Sequence, residues 1–282
     1  SRNFPKTPII SQSIINLSGQ DLLHHANLKD FVSEEIDLIA GGPPCQGFSN
    51  AGMKNPKDPR NTLIGQFIRI VDELKPRFFL MENVTGLKTM YEGKLFERVL
   101  NEFENINYQF HWKILHAADY GVPQMRKRLF ILGSRDGPPP PFPKPTHFKP
   151  SPQQTHFSFG EKNLPYVFCG EALADLPLIN QGEIINTYDK EPITEFQKVM
   201  RKGTRKLFNQ QASRHRQITM DYYALVPPGG TWLDIPKNLR KKKQGIQRWP
   251  IHGLSRTITT EPTDFLHPKL NRIPTIRELA RI

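Results

Sequence analysis

Apolar residues recur with two different periods through the first half of this chain. Residues 36–40, Ile-Asp-Leu-Ile-Ala, form a short apolar run halted by Gly41, Gly42, Pro43 and Pro44, the pattern of a buried strand ending in a loop. From Asn61 to Leu74 the apolar positions Leu63, Phe67, Ile70, Val71 and Leu74 follow a helical stripe, which Pro76 closes. Residues 77–81, Arg-Phe-Phe-Leu-Met, predict a second strand running into Glu82-Asn83-Val84. A helix is expected from Lys94 to Phe103, a strand near Trp112–Leu115 and another over Leu-Phe-Ile-Leu-Gly at 129–133. Strands alternating with helices predict an α/β fold on a parallel sheet, with ligands held at the strand ends.

The pattern then breaks. Eight prolines between 138 and 152 allow no regular element to cross that stretch. Beyond it the periodicity is weak and turn residues are frequent. We expect a first domain over 1–136, a smaller irregular domain over 137–255, and a return to the first domain over 256–282, with a helix starting at Thr275.

Composition narrows the class. With 37% hydrophobic and 10% aromatic residues in 282, the chain can bury a core, which excludes global disorder. No apolar run approaches the ~18 residues of a membrane span. Two cysteines, Cys45 and Cys169, make neither a disulfide framework nor a four-ligand zinc site, and no metal is expected. The chain opens without an initiator Met or leader and stops inside a helical pattern, so a fragment cut at both ends is expected.

Charge is concentrated in one place. Of a net +12, residues 201–256 carry +11, with thirteen Lys or Arg against Asp221 and Asp234. A solvated basic face is the plain reading of the run Arg240, Lys241, Lys242, Lys243. A whole segment of this density, interleaved with Tyr222, Tyr223, Trp232 and Trp249, fits a polyanion better, and such binding is salt-dependent.

Three features carry candidate chemistry. Cys45 lies in Gly-Gly-Pro-Pro-Cys-Gln-Gly-Phe-Ser, a loop after a strand, where a thiolate could reach a substrate. The next strand delivers Glu82 to the same sheet edge, where partial desolvation would raise its pKa toward general-acid use. Gln124, Arg126 and Arg128 alternate ahead of the 129–133 strand, so they are expected on one face, able to bind a phosphate, carboxylate or base carbonyl. Each admits a plainer reading: a small buried cysteine, a surface or cap carboxylate, an exposed basic edge strand.

Together these residues resemble the C5-cytosine methyltransferase family. Gly-Pro-Pro-Cys-Gln-Gly-Phe-Ser at 42–49 resembles its nucleophile motif, and Glu82-Asn83-Val84 its Glu-Asn-Val motif. Residues 119–128, Asp-Tyr-Gly-Val-Pro-Gln-Met-Arg-Lys-Arg, resemble its Gln-x-Arg-x-Arg motif. Residues 272–281, from Arg272 through Thr275, Arg277 and Glu278 to Arg281, resemble the motif that packs its target domain on its catalytic domain. The basic tract falls where the family keeps its variable target-recognition domain.

The resemblance implies a Rossmann-like S-adenosylmethionine-dependent methyltransferase sheet and methyl transfer to C5 of a flipped cytosine in duplex DNA. It implies a bacterial, cytoplasmic, DNA-associated enzyme of a restriction–modification system, working as a monomer away from membranes. Cys45 would be the nucleophile at C6, Glu82 the partner of N3 and Arg128 the holder of O2, with Arg126 orienting the glutamate and the loop and Gln124 beside them. Pro44 and Leu63 would border the cofactor. Ser13 stands where the family has an acid for the adenine amino group, and the Gly-rich cofactor loop and C-terminal Gly-Asn motif are missing. Ser49 and Arg60 would face DNA, as would Arg240 and Lys241–Lys243 on the charge argument. A tRNA cytosine methyltransferase of the same fold and a non-enzymatic nucleic-acid-binding module are the alternatives. The second has no need of Cys45, Glu82 and Arg128 together.

Overall fold

A computed structural model describes residues 5–26, 36–44, 62–149, 164–204, 206–240, 245–260 and 262–282. The chain divides into two units, residues 1–115 with 127–143 and residues 116–126 with 144–282. These limits differ from those expected at 136 and 255. Residues 116–126 belong with the second unit, and 256–282 stay in it.

In chain order the first unit carries α1 (Gly19–His25), β1 (Leu38–Gly41), α2 (Thr62–Leu74), β2 (Phe78–Val84), α3 (Lys94–Asn105) and β3 (Gln109–His116). A two-residue strand β4 (Gln124–Met125) lies in the second unit before β5 (Lys127–Ser134) rejoins the first. The sheet order is β1-β2-β5-β3. β1 and β2 are parallel, with Gly41 opposite Met81, but β5 runs antiparallel to β2, with Glu82 opposite Phe130. The sheet is therefore mixed, which corrects the parallel expectation. An apolar run carries no direction, and residues 117–126 hold a short 3-10 turn and β4 instead of the crossover helix a parallel strand requires.

Burial alternates along β2 and β5, so Phe79, Met81, Leu129 and Ile131 face one side and are essentially inaccessible. α2 and α3 close over that side with Phe67, Ile68, Val71, Phe96, Val99 and Phe103. Phe79 stacks on Phe103 at 4.1 Å and meets Phe67 edge-on at 6.4 Å. Its register partner on β5 is Gly133, where a Cβ would stand 2.0 Å from the Phe79 ring. The expected buried strand at 36–40 is instead the half-exposed edge strand β1, whose Leu38 is 52% accessible.

The second unit has β6 (His147–Phe148), β7 (Leu164–Pro165), α4 (Cys169–Leu173), α5 (Glu195–Arg201), α6 (Gln217–Ala224), β8 (Gln247–Arg248), β9 (Ser255–Arg256), β10 (Phe265–Leu266) and α7 (Ile276–Leu279). Its strands pair two residues at a time: β6 with β7, β4 with β9 and β8 with β10. Buried ions replace a sheet as the organising feature. Arg248 gives all five guanidinium donors to Val226, His267, Leu270 and Tyr223 carbonyls and the Asn271 amide oxygen, at 2.7–2.8 Å. Arg272 grips Glu278 in a fork (2.8 and 2.7 Å), and Arg281 grips Asp175 (2.8 and 3.0 Å).

Candidate active site

Because β1 and β2 are parallel, both release their chains at one edge of the sheet. Gly41 leads into Gly42, Pro43 and Pro44 there, while β2 carries Glu82 and Asn83 to the same level. Asn83 is 3% accessible and donates its side-chain amide to the Pro43 carbonyl (3.1 Å), while its Oδ1 accepts the Val84 N–H (2.9 Å). It pins the loop that runs on to Cys45. Sequence reasoning named Asn83 only as a letter of a motif. Its place on the core side of an alternating strand, beside a Pro-Pro turn that needs anchoring, is the signal that marks it.

Glu82 points to the opposite face of β2. Its Oε1 lies 2.9 Å from Arg128 Nε across the antiparallel β2–β5 pair, with the two side chains 34% and 20% accessible. Val84 is opposite Arg128, so the ion pair is a diagonal cross-strand contact. A Cβ at Gly42 would sit 3.5 Å from Glu82 Oε2, so Gly42 leaves the carboxylate open on that side. The result is a fixed, partly hydrated carboxylate at the root of the cysteine loop. It is less desolvated than a strand of Phe and Leu suggested.

The Gln-x-Arg-x-Arg stretch does not form one strand face. The strand breaks at Arg126, whose N–H bonds the Gln124 carbonyl (2.9 Å) and whose carbonyl accepts from Ala117 (2.8 Å). Gln124 is buried in the second unit and donates to the Ile282 carbonyl (3.1 Å), and Arg128 lies in the first unit against Glu82. The break cancels the alternation on which the shared face rested.

Cys45, Ser49, Arg60 and Lys241–Lys243 lie outside the described residues. Arg240 is tied into its own segment: it donates to the carbonyls of Ile235 (2.8 Å) and Leu233 (2.6 Å), and its guanidinium lies 5.4 Å from the Trp232 ring centre. These bonds anchor the side chain in its own segment. Arg248 is likewise spent inside the unit, whereas Lys202, Lys206, Arg214, Arg216, Lys237 and Arg256 are exposed. Cys169 is fully buried and burial pushes its thiol up to about 12, so it is a poor nucleophile.

The residues suggested for S-adenosylmethionine supply only part of a pocket. Pro44 is exposed and Leu63 half-buried in the first turn of α2. Ser13 caps a 3-10 turn, its hydroxyl accepting the Ile15 N–H (3.4 Å). The carboxylates on α1 and α2 are also taken, Asp21 by Ser18, Asp72 by Lys75, and Glu73 by the Gly19 N–H and Arg69. The described residues therefore do not fit the whole cofactor. Among them there is no group of three metal-ligating side chains and no helix long and apolar enough to cross a membrane.

Comparison with known proteins places the chain in a family. The family of C-5 cytosine-specific DNA methylases matches residues 2–282. Type II methyltransferase M1.HphI of Haemophilus parahaemolyticus is 32% identical over 286 residues, covering 99% of this chain and 66% of the relative. Type II methyltransferase M.DdeI of Desulfomicrobium norvegicum is 33% identical over 301 residues, covering 100% and 68%. The chain thus spans about two thirds of the length of these curated relatives. A crystal structure of an E. coli prophage-encoded protein, assigned as a DNA modification methyltransferase, shares the fold with a TM-score of 0.67 at 24% identity, covering 96% of this chain and 74% of its own. The chain belongs to the C-5 cytosine-specific DNA methylase family.

Proposed function

We propose that the complete protein methylates C5 of a cytosine in duplex DNA, as the modification enzyme of a restriction–modification system. The observation that carries this is the Glu82–Arg128 pair, fixed at the sheet edge where Asn83 anchors the loop to Cys45. S-adenosylmethionine is the proposed donor and supplies an electrophilic methyl group. The described residues supply only part of its pocket.

C5 of cytosine is a weak nucleophile. In the proposed mechanism the Cys45 thiolate bonds to C6, and the C5–C6 π pair becomes available at C5 as an enamine. Addition pushes charge toward N3, where Glu82 shares or delivers a proton, while Arg128 holds the carboxylate in line and faces O2. Once C5 has been alkylated it loses its proton, the S–C6 bond breaks toward sulfur, and the aromatic ring and thiolate are restored. The base reaches this edge only when flipped out of the duplex.

The test uses the full-length gene product and duplex DNA carrying 5-fluorocytosine, because fluorine cannot leave C5 as a cation. A denaturation-resistant adduct on Cys45, lost in Cys45→Ala, is expected. Glu82→Gln should slow kcat by ~10²–10⁴. An adduct on Cys169, or equal turnover of tRNA in place of DNA, would overturn the proposal.

A further inference from the structure

Within the second unit, residues 182–188 and 206–212 form an irregular antiparallel ribbon. Ile184 bridges Gln211 and Thr187 bridges Lys206. Main-chain bonds run from Gly182 to Ala212, Ala212 to Glu183, Ile185 to Gln210 and Leu207 to Asn186, at 2.9–3.1 Å. One face of the 206–212 strand is buried: Leu207, Gln210 and Ala212 are each 3% accessible or less. The other presents Lys206, Phe208 and Gln211, with Ile184 (58% accessible) across the pair.

The exposed face is held rigidly from below. Gln210 donates to the Pro177 carbonyl (3.1 Å) and Glu278 (3.3 Å) and accepts from the Thr275 hydroxyl (2.8 Å). Arg277 donates to the carbonyls of Phe208 (2.8 Å) and Asn209 (3.1 Å). Asn209 has φ +62°, a bulge that keeps Leu207 and Gln210 both inward although they are three residues apart. Arg214 packs over Gly182, where a Cβ would meet its Nε at 2.7 Å. Lys202, Lys206, Arg214 and Arg216 are exposed along or beside the ribbon, and its acid, Glu183, is turned onto Asn180.

Resting on the function proposed above, we propose that this ribbon is the sequence-reading element, inserted in the major groove with Gln211 on a base edge. Two strands about 4.8 Å apart fit a groove about 12 Å wide. An exposed glutamine on a rigid strand is a bidentate partner for adenine N6 and N7, and an apolar neighbour such as Ile184 suits a thymine methyl. The flanking Lys and Arg supply phosphate contacts that carry no sequence information. A surface ribbon meant only for solvent has no use for a clamp of Pro177, Thr275, Arg277 and Glu278 beneath it.

The experiment measures methylation of a randomised duplex library by the full-length protein, read by base-conversion sequencing. Gln211→Ala should relax the preference at one base-pair position by about tenfold or more, while the other positions keep theirs. Lys206→Ala with Arg214→Ala should weaken binding to all duplexes alike and reduce the slope of log affinity against log salt by ~0.9 per lost contact. An unchanged site preference in Gln211→Ala, or a loss spread evenly over all sequences, would overturn the ribbon assignment. A wild type that methylates no duplex cytosine would instead overturn the function proposed above, and the ribbon with it.

Discussion

In the first unit Phe79 is enclosed by Phe67 and Phe103 on an alternating sheet face. In the second, Arg248 is just as enclosed, but by five hydrogen-bond acceptors. One unit is ordered by where apolar side chains can leave water, the other by where carbonyls of an irregular backbone need donors. The first kind of order imposes a period on the sequence, since a strand has two faces. The second imposes none, because a guanidinium reaches acceptors wherever the chain leaves them. This difference also sets how each unit should fail.

The largest effects come from breaking each core at its most enclosed point. Arg281→Ala removes both short bonds to Asp175, whose side chain is fully buried, and leaves it Arg201 at 3.9 Å; the loss should cost ~3–5 kcal/mol. Phe79→Ala leaves a cavity of similar cost, ~3–5 kcal/mol. Paired replacement separates them. Arg281→Met with Asp175→Leu should recover most of the loss, because neither charge remains to be desolvated, and Arg201 keeps the Lys190 carbonyl and the Tyr188 ring. Urea unfolding of single-tryptophan variants reads the units apart, Trp112 for the first and Trp249 for the second. No recovery in the paired variant would mean that the ionic network, and not mere filling, specifies the second unit.

A somewhat smaller effect should appear on acidification. His267 is 2% accessible, and its Nδ1 accepts the N–H groups of Lys269 and Leu270 at 3.1 Å each. That geometry requires a bare Nδ1, so the ring is held neutral; burial pushes its pKa down to about 4. The unfolded chain binds a proton near 6.5, so between about 6.5 and 4 it holds more protons than the folded one, and stability falls as pH falls. The loss over that window is on the order of 3 kcal/mol, at about 1.4 kcal/mol per pH unit. Burial alone would raise Glu278, but the Arg272 fork holds it below its usual value, so its contribution is lost only further down the acid range. The Trp249 probe should report this decline, and His267→Gln, which also offers an acceptor, should flatten it. An equal decline at Trp112 would remove the contrast between the units.

What the sequence disclosed follows the same division. The stripe from Leu63 to Leu74 and the run into Glu82 gave α2 and β2 within a residue or so, because burial on one face demands those periods. The reversal of β5 was not legible, since alternation is the same in either direction. Gln124, Arg126 and Arg128 were placed together because a local break in a strand depends on backbone bonds such as Ala117 to Arg126. The basic tract was legible as charge but not as geometry. Arg240 and Arg248 look like Lys206 and Arg214 in a sequence, yet the first two are bonded to carbonyls and the others are exposed. Glu82 and Arg128 were each named from their motifs, but Arg126 was expected beside the carboxylate where Arg128 pairs with it, and the anchor Asn83 needed the fold to be seen.

The smallest contrast uses one motif in both surroundings. Ser18 and Thr275 each head a capping box, Ser18 with Asp21 at the start of α1 and Thr275 with Glu278 at the start of α7. The Ser18 box is exposed and serves only its helix end, so Ser18→Ala should cost ~1 kcal/mol and Ser18→Asn should restore it. Thr275 is 2% accessible and its hydroxyl also donates to Gln210 Oε1 (2.8 Å) while accepting the Glu278 N–H (3.0 Å). Thr275→Ala therefore leaves a buried amide oxygen short of a donor as well as a helix end uncapped, and ~2 kcal/mol is expected. Thr275→Ser keeps the oxygen and should stay close to wild type. Equal costs for the two alanine variants, read by the same tryptophan probes, would show that burial of the box adds nothing, and the second unit's polar network would then be no stiffer at its rim than the first unit's surface.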